Sequence, residues 1–205
     1  MTERLPAVIL AGGRATRMGG GDKPLRPLGG RAILDHVIAR MKPQCAPLAL
    51  NANGNPARLA GYGLPVLSDS IPDHPGPLAG VLAGLDWAAG LGASHVISAA
   101  GDTPFFPVDL ADRLWAARSP AGLALAATRD ETGKTWRQPT FGLWPVALRE
   151  DLRAALEGGL RKVVLWTDAH GAGEAEFATT PIDPFFNINR PEDIDEAERL
   201  LGLTA

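Results

Sequence analysis

Short apolar runs alternate along this chain with stretches in which apolar residues recur every three or four positions. Ala7-Val8-Ile9-Leu10 is continuously apolar and ends at Gly12-Gly13, the pattern of a strand buried on both faces with a loop behind it. From Arg31, the residues Ile33, Leu34, Val37, Ile38 and Met41 keep helical spacing until Pro43, predicting a first helix over 31–41. Positions 48–50 and 65–67 read as short buried strands, and Leu78, Val81, Leu82 and Leu85 predict a second helix. A strand over 95–100 then runs into the polar turn Gly101-Asp102-Thr103-Pro104, which sets Asp102 at a strand tip.

In the second half, Leu110 and Leu114 predict a helix opened near Pro107. Positions 123–127 and 140–144 predict strands, and Leu148, Leu152 and Leu156 another helix. Residues 162–166 fit helix and strand equally, while 129–137 is polar, contains Gly133 and predicts a mobile loop or a plain solvent-facing connection. Asn187 and Asn189 alternate along a predicted short strand and so face one side, with Asn189 also placed to cap a helix. Pro191-Glu192-Asp193 opens that helix, which buries Ile194, Ala197 and Leu201. Such alternation predicts an α/β fold: a doubly wound, mostly parallel sheet with helices on both faces and ligands beyond the carboxyl ends of the strands.

At 205 residues and 45% hydrophobic content the chain suits one domain, and its net charge of -3 offers no general basic field for nucleic acid or anionic membrane. Any bound anion must meet a local cluster. Cys45 is the sole cysteine, which excludes an intrachain disulfide and a cysteine zinc site, so it reads as a small core residue in a reducing compartment, the cytoplasm. No apolar segment at the N-terminus is long enough for a signal peptide or a membrane span.

The local anion cluster follows the first strand: Leu10-Ala11-Gly12-Gly13-Arg14-Ala15-Thr16-Arg17-Met18-Gly19-Gly20-Gly21-Asp22-Lys23-Pro24. Glycines let backbone N–H groups approach phosphate oxygens, and Arg14, Arg17, Lys23 and Arg26 add positive charge. A P-loop is excluded because no Gly-Lys-Ser/Thr follows, and the dinucleotide fingerprint fails on glycine spacing.

Leu-Ala-Gly-Gly-x-x-x-Arg-Met-Gly-Gly-x-Asp-Lys resembles the signature of the molybdopterin-dinucleotide synthesising nucleotidyltransferases, in particular the guanylyltransferases of the molybdenum cofactor. Asn51-Ala52-Asn53, Asp69-Ser70, Gly76-Pro77-Leu78-Ala79-Gly80, Gly101-Asp102-Thr103-Pro104 and the 187–193 segment extend the resemblance in order across almost the whole chain. The resemblance implies a single Rossmann-like domain over 1–205, its nucleotide-binding part roughly 1–105 and its acceptor-binding part roughly 106–205. It implies GMP transfer from GTP to molybdenum-bearing molybdopterin, with Mg2+ as cofactor and transient contacts with proteins that deliver or receive the product.

By the same resemblance, Leu10, Ala11, Gly12, Gly13, Asn51, Asp69, Pro77, Leu78, Gly80 and Lys23 bind the nucleotide. Arg17 and Lys23 stabilise the departing phosphates, and Asp102 holds the metal as a carboxylate beside triphosphate oxygens. A turn-forming Asp that caps local amides is the plainer reading of Asp102. Asp69 suits guanine, since a carboxylate accepts from both N1–H and the 2-amino group. Asn187 and Asn189 would lie by the acceptor, as would Gln138 in Arg137-Gln138-Pro139-Thr140, where the family often has His-Pro. His36, His95 and His170 show no metal spacing, and His74 reads as a loop histidine. Trp87, Trp115, Trp144 and Trp166 read as core, whereas Trp136 sits in the polar stretch with a ring free to stack. The rivals are the cytidylyltransferase of the same cofactor, whose signature more often has Leu-Ala-Ala-Gly at 10–13, a sugar-phosphate or terpenoid-precursor nucleotidyltransferase, and a guanine-nucleotide sensor or cofactor carrier without turnover.

Overall fold

The computed structural model describes residues 4–12, 22–71 and 76–204. In chain order, β1 (Ala7–Leu10) leads to a small hairpin, β2 (Pro27–Leu28) with β3 (Arg31–Ala32), and then to helix α1 (Ile33–Met41). Strands β4 (Leu48–Asn51) and β5 (Val66–Leu67) follow, then α2 (Pro77–Gly90), β6 (His95–Ala100) and α3 (Leu110–Ala117). The hairpin β7 (Ala124–Arg129) and β8 (Thr135–Pro145) precedes α4 (Arg149–Glu157), α5 (Val163–Ala169), β9 (Gly173–Phe177) and α6 (Pro191–Thr204).

Seven strands form one sheet in the order β5-β4-β1-β6-β8-β7-β9. Within it β8 runs antiparallel to β6 and β7, and the other pairings are parallel. The continuous apolar run of β1 is explained by what covers it. Ala7 and Ile9 join α1 (Leu34, Val37, Met41) and α3 (Leu110, Leu114) in one core layer, while Val8 joins α2 (Leu82, Leu85), α4 (Leu152) and α5 (Trp166) in the other. A third cluster lies outside both layers: Ala197 and Leu201 of α6 pack with Leu28, Ile33, Phe105 and Ile188. It ties the C-terminal helix to the β2–β3 hairpin and to the turn after β6.

The sheet and its two helical faces agree with the alternation read from the sequence. Several local expectations are corrected. Helix α1 starts at Ile33, because Arg31 and Ala32 pair with Leu28 and Pro27 instead. The ambiguous 162–166 piece is the start of α5. The 129–137 stretch is mostly hairpin rather than mobile loop. Its turn is built around Asp130, which accepts from the N–H groups of Thr132 and Lys134, from Thr132 Oγ1 and from Trp136 Nε1. Those hydrogen bonds, Thr132 and Trp136 foremost, hold the Asp130 carboxyl down at about 2.

β9 has no counterpart in the hydrophobic reading; its sequence Gly-Glu-Ala-Glu-Phe alternates too weakly to announce an edge strand. The 187–189 segment is irregular rather than a strand. Trp115 is 39% exposed and is not core, whereas Trp144 and Trp166 are buried and satisfy their indole N–H groups on Ser98 Oγ and Asp151 Oδ1. Cys45 is fully buried, and burial, reinforced by Asp112, pushes its thiol up to about 12. Among the described residues no helix is long and apolar enough to cross a membrane.

Gly173 shows how closely the layers approach. A Cβ there would overlap the carbonyl oxygen of Ala117 and lie 3.2 Å from the Ser119 nitrogen, all backbone that cannot step aside. Gly173→Ala should therefore lower unfolding free energy by about 2–3 kcal/mol in urea titration. Gly61→Ala, with nothing within 4 Å, should stay within about 0.5 kcal/mol of the parent.

Candidate active site

The sheet winds outward in both directions from β1, with β4 and β5 on one side and β6 on the other. That reversal leaves a crevice beyond the carboxyl ends of β1, β4 and β6, the place where open α/β sheets hold ligands. The strand exits are stitched together by backbone bonds: Ala11 N–H donates to Asn51 O at 2.9 Å, Ala52 N–H to Leu67 O at 2.9 Å, and Gly101 N–H to Leu10 O at 3.0 Å. A Cβ on Gly101 would sit 3.1 Å from both Ala11 Cα and Leu10 O, so glycine lets β1 and β6 leave the sheet side by side.

Lys23 stands over the β6 exit. Its ammonium donates to Asp102 Oδ2 at 2.5 Å, to Asn189 Oδ1 at 2.5 Å and to Asn187 Oδ1 at 3.2 Å. These three acceptors match the three donors of a lysine. The Lys23 and Asp102 side chains are 11% and 21% exposed, sheltered enough for charge to matter yet open to a ligand. Asn187 and Asn189 do face one side, as the alternation predicted, but the cause is different. Ile188 is fully buried in the α6 cluster and its N–H donates to Asp102 O at 3.1 Å, which turns its two neighbours outward to Lys23. With Asn189 Oδ1 directed to Lys23, Asp193 Oδ2 accepts from the N–H groups of Asn189 and Arg190 at the start of α6.

A second polar group lies at the exits of β4 and β5. Asn51, only 5% exposed, donates from Nδ2 to Asp69 Oδ1 at 2.9 Å and to Leu67 O at 3.1 Å. Asn53 donates to Asp69 Oδ2 at 2.7 Å and accepts from the Asp69 N–H at 2.9 Å. The sequence alone assigns Asn53 no role, although its i, i+2 relation to Asn51 puts both on one side of an extended segment. The first turn of α2 closes this corner with Pro77, Leu78 and Gly80. A Cβ on Gly80 would overlap Asn51 Oδ1 and lie 2.9 Å from Leu10 Cδ2, so here glycine admits the Asn51 amide under the helix.

Other expected residues have partners of their own. Gln138 lies just past the irregularity in the β7–β8 pairing, with Nε2 3.5 Å from Thr128 Oγ1. Trp136 is half exposed, but Lys134 Nζ covers one face of its ring at 3.6 Å from the centroid. His36 contacts Leu28 O, and His170 bridges Trp166 O and Asp151. Gly13, Arg14, Arg17 and His74 lie outside the described residues. Among the described residues no three His, Cys, Asp or Glu groups gather into a metal cage. The Asp102 carboxylate, paired with Lys23, is an oxygen donor of the kind that fits a hard cation completed by phosphate oxygens and water.

The family model of the MobA-like NTP transferase domain matches residues 7–171. The chain belongs to this family. As a MobA-like NTP transferase it is a nucleotidyltransferase, and the match takes in Lys23, Asn51, Asn53, Asp69 and Asp102 but ends before Asn187 and Asn189. A molybdenum cofactor guanylyltransferase from Bradyrhizobium sp. (strain ORS 278) is 52% identical over 98% of this chain and 95% of its own length. One from Cereibacter sphaeroides is 49% identical over 97% of each. Among solved structures, the molybdopterin-guanine dinucleotide biosynthesis protein A of Archaeoglobus fulgidus superposes with a TM-score of 0.73 at 20% identity, covering 97% of this chain and 100% of that one. The 4-diphosphocytidyl-2C-methyl-D-erythritol synthase of Anaerococcus prevotii reaches 0.73 at 15% identity, covering 98% and 96%. At such identities these two likenesses speak for the fold alone.

The packing of Gly80 predicts a local and readable defect in this MobA-like chain. Gly80→Ala should lower stability by roughly 1–3 kcal/mol and shift the side-chain amide resonances of Asn51 and Asn53 in nitrogen-correlated NMR spectra. Unchanged Asn51 resonances would mean that α2 yields instead of the amide.

Proposed function

We propose that this chain transfers GMP from GTP to molybdenum-bearing molybdopterin and releases pyrophosphate. The observation that carries the reading is the convergence of Lys23, Asp102, Asn187 and Asn189 at the β6 exit, next to the Asn51–Asp69 pair, in an NTP transferase about half identical to named molybdenum cofactor guanylyltransferases. The guanine edge lies by Asp69, and the backbone of Leu10, Ala11 and Gly12 lines the nucleotide. The nucleotide-binding part is roughly 1–105; the acceptor part, with Asn187, Asn189 and Gln138, supplies the other wall.

A phosphate oxygen of the acceptor attacks the α-phosphorus of GTP. The bond from that phosphorus to the bridging oxygen of the β-phosphate breaks, and pyrophosphate departs. An ionised phosphate needs no general base. Lys23 exchanges one of its protein acceptors for a phosphate oxygen and holds the leaving group. Asp102 would be the residue to hold a Mg2+ ion. When bound, the ion supplies charge neutralisation and alignment at the transferring phosphoryl group. Gly13 and Arg17 complete the phosphate-binding loop in this reading. Cys45, a lone thiol, suits a reducing cytoplasm, where proteins that deliver or receive the cofactor would meet the chain.

Thermal-shift titration with GTP, CTP, ATP and UTP in magnesium should give the largest stabilisation with GTP. A larger shift with CTP overturns the guanine assignment. Pyrophosphate release should require GTP, molybdopterin and Mg2+ together, stop on chelation by EDTA and return on adding Mg2+. Lys23→Ala and Asp102→Ala should each lower the rate by about 100-fold or more. Tight GTP binding without pyrophosphate under those conditions would show a sensor instead of a transferase.

A further inference from the structure

We infer that Asn53 is a positioning residue that aims the Asp69 carboxylate and thereby sets the chain's preference for a base with two adjacent N–H donors. The inference rests on the reading of Asp69 as the acceptor for guanine. It begins from an arrangement of hydrogen bonds that neither residue makes alone. Asn53 and Asp69 exchange two bonds, Nδ2 to Oδ2 at 2.7 Å and the Asp69 N–H to Asn53 Oδ1 at 2.9 Å. Two bonds between the same residues fix relative orientation as well as distance. Asn51 holds the other oxygen, Oδ1, at 2.9 Å.

Each Asp69 oxygen thus accepts one amide from the chain. A carboxylate offers about four lone-pair sites, so one direction on each oxygen remains for a ligand. The two carboxamides fix the carboxylate plane, and the remaining directions then suit a pair of adjacent donors. Guanine presents N1–H and the 2-amino group along one edge. Hypoxanthine keeps N1–H and lacks the amino group, so GTP against ITP reads this geometry alone.

Asn53 is exposed, and an exposed amide ordinarily samples many rotamers. Here its backbone is held as well. Arg58 Nη2 donates to Asn53 O at 2.8 Å and Nη1 to Asn55 O at 2.6 Å, bracing the turn at Gly54, whose φ is +85°. The same guanidinium places Nε 2.5 Å from Asp22 Oδ2. Asp22 directly precedes Lys23, so a continuous run of polar contacts leads from the end of the glycine-rich loop through Arg58 and Asn53 to Asp69. The base corner and the phosphate corner share one brace.

The test measures the affinities of GTP and ITP for the full chain in magnesium by calorimetry, for the parent, Asn53→Ala, Asn53→Asp and Asp69→Asn. The parent should prefer GTP by at least about tenfold, the worth of one hydrogen bond to a charged acceptor. Asn53→Ala should bring the ratio close to one while the ITP affinity changes little. Asn53→Asp, the same size but a carboxylate facing a carboxylate, should weaken GTP further. A parent-like ratio in Asn53→Ala overturns the positioning role even if overall affinity falls, because a merely structural residue lowers both nucleotides together. Should Asn53→Ala fail to fold, a parent-like ratio in Asn53→Ser, whose shorter side chain loses the reach to Oδ2, overturns it equally. A parent that does not distinguish GTP from ITP, or an Asp69→Asn variant that keeps the preference, overturns the guanine role of Asp69 itself.

Discussion

The ammonium of Lys23 is the point at which separate parts of this chain meet. It lies in the segment after β1, yet its partners come from the β6 exit and from the approach to α6, more than 160 residues away for Asn187 and Asn189. A lysine side chain left only 11% exposed has lost much of its water, and a charge in that position must be answered by oxygen atoms. Asp102 answers it with charge and the two asparagines with dipoles. The fold holds those oxygens in place from behind: Ile188 and Phe105, one beside the asparagines and the other just past Asp102, are both buried against Ala197 of α6. A small apolar cluster at the edge of the molecule therefore governs the geometry of its most polar corner.

The second corner is arranged by a different means. Around Asp69 the partners are neutral amides from one short segment, and their positions depend on how closely α2 approaches β1 and β4. Gly80 and Gly84 allow that approach; a Cβ on Gly84 would stand 2.5 Å from Val8 Cγ1. Helix α2 is apolar nearly all round its first three turns, since it fills the space between the sheet and α4. Its closeness serves the core and the Asn51 amide together, which links the stability of this face to the shape of the crevice.

Much of this was legible in the residues. The continuous run at 7–10, the helical spacing at 33–41 and at 78–85, and the strand leading into Asp102 each follow from burial on one or both faces, and burial leaves a periodic trace. What stayed hidden leaves no such trace. β9 is an edge strand with one half-buried and one exposed glutamate, so its alternation is faint. The polar residues at 129–137 read as loop because hairpin pairing is made by backbone atoms, and only Asp130 as a turn-former hinted otherwise. Asn187 and Asn189 were placed on one side for a reason that does not hold, since a buried Ile188 between two exposed residues produces the same result without a strand. The pairing of Asn53 with Asp69 joins positions in two loops, and a single sequence carries no signal for that contact.

Lys23 also constrains how the site must work. Its three donors are already matched by protein oxygens, so on the proposed reading a triphosphate would substitute for existing bonds instead of adding to them. The gain would then come from charge: phosphate oxygens carry more negative charge than an amide oxygen, so the ammonium gains Coulomb attraction in the exchange. Asn187, at 3.2 Å, is the longest of the three contacts and on the proposed reading would be the acceptor that phosphate displaces. Asp102 differs in kind, because releasing it without a replacement cation would leave a sheltered carboxylate uncompensated. On the proposed reading, a divalent cation held by Asp102 would meet the second demand as phosphate meets the first, so the Lys23–Asp102 pair would link the two.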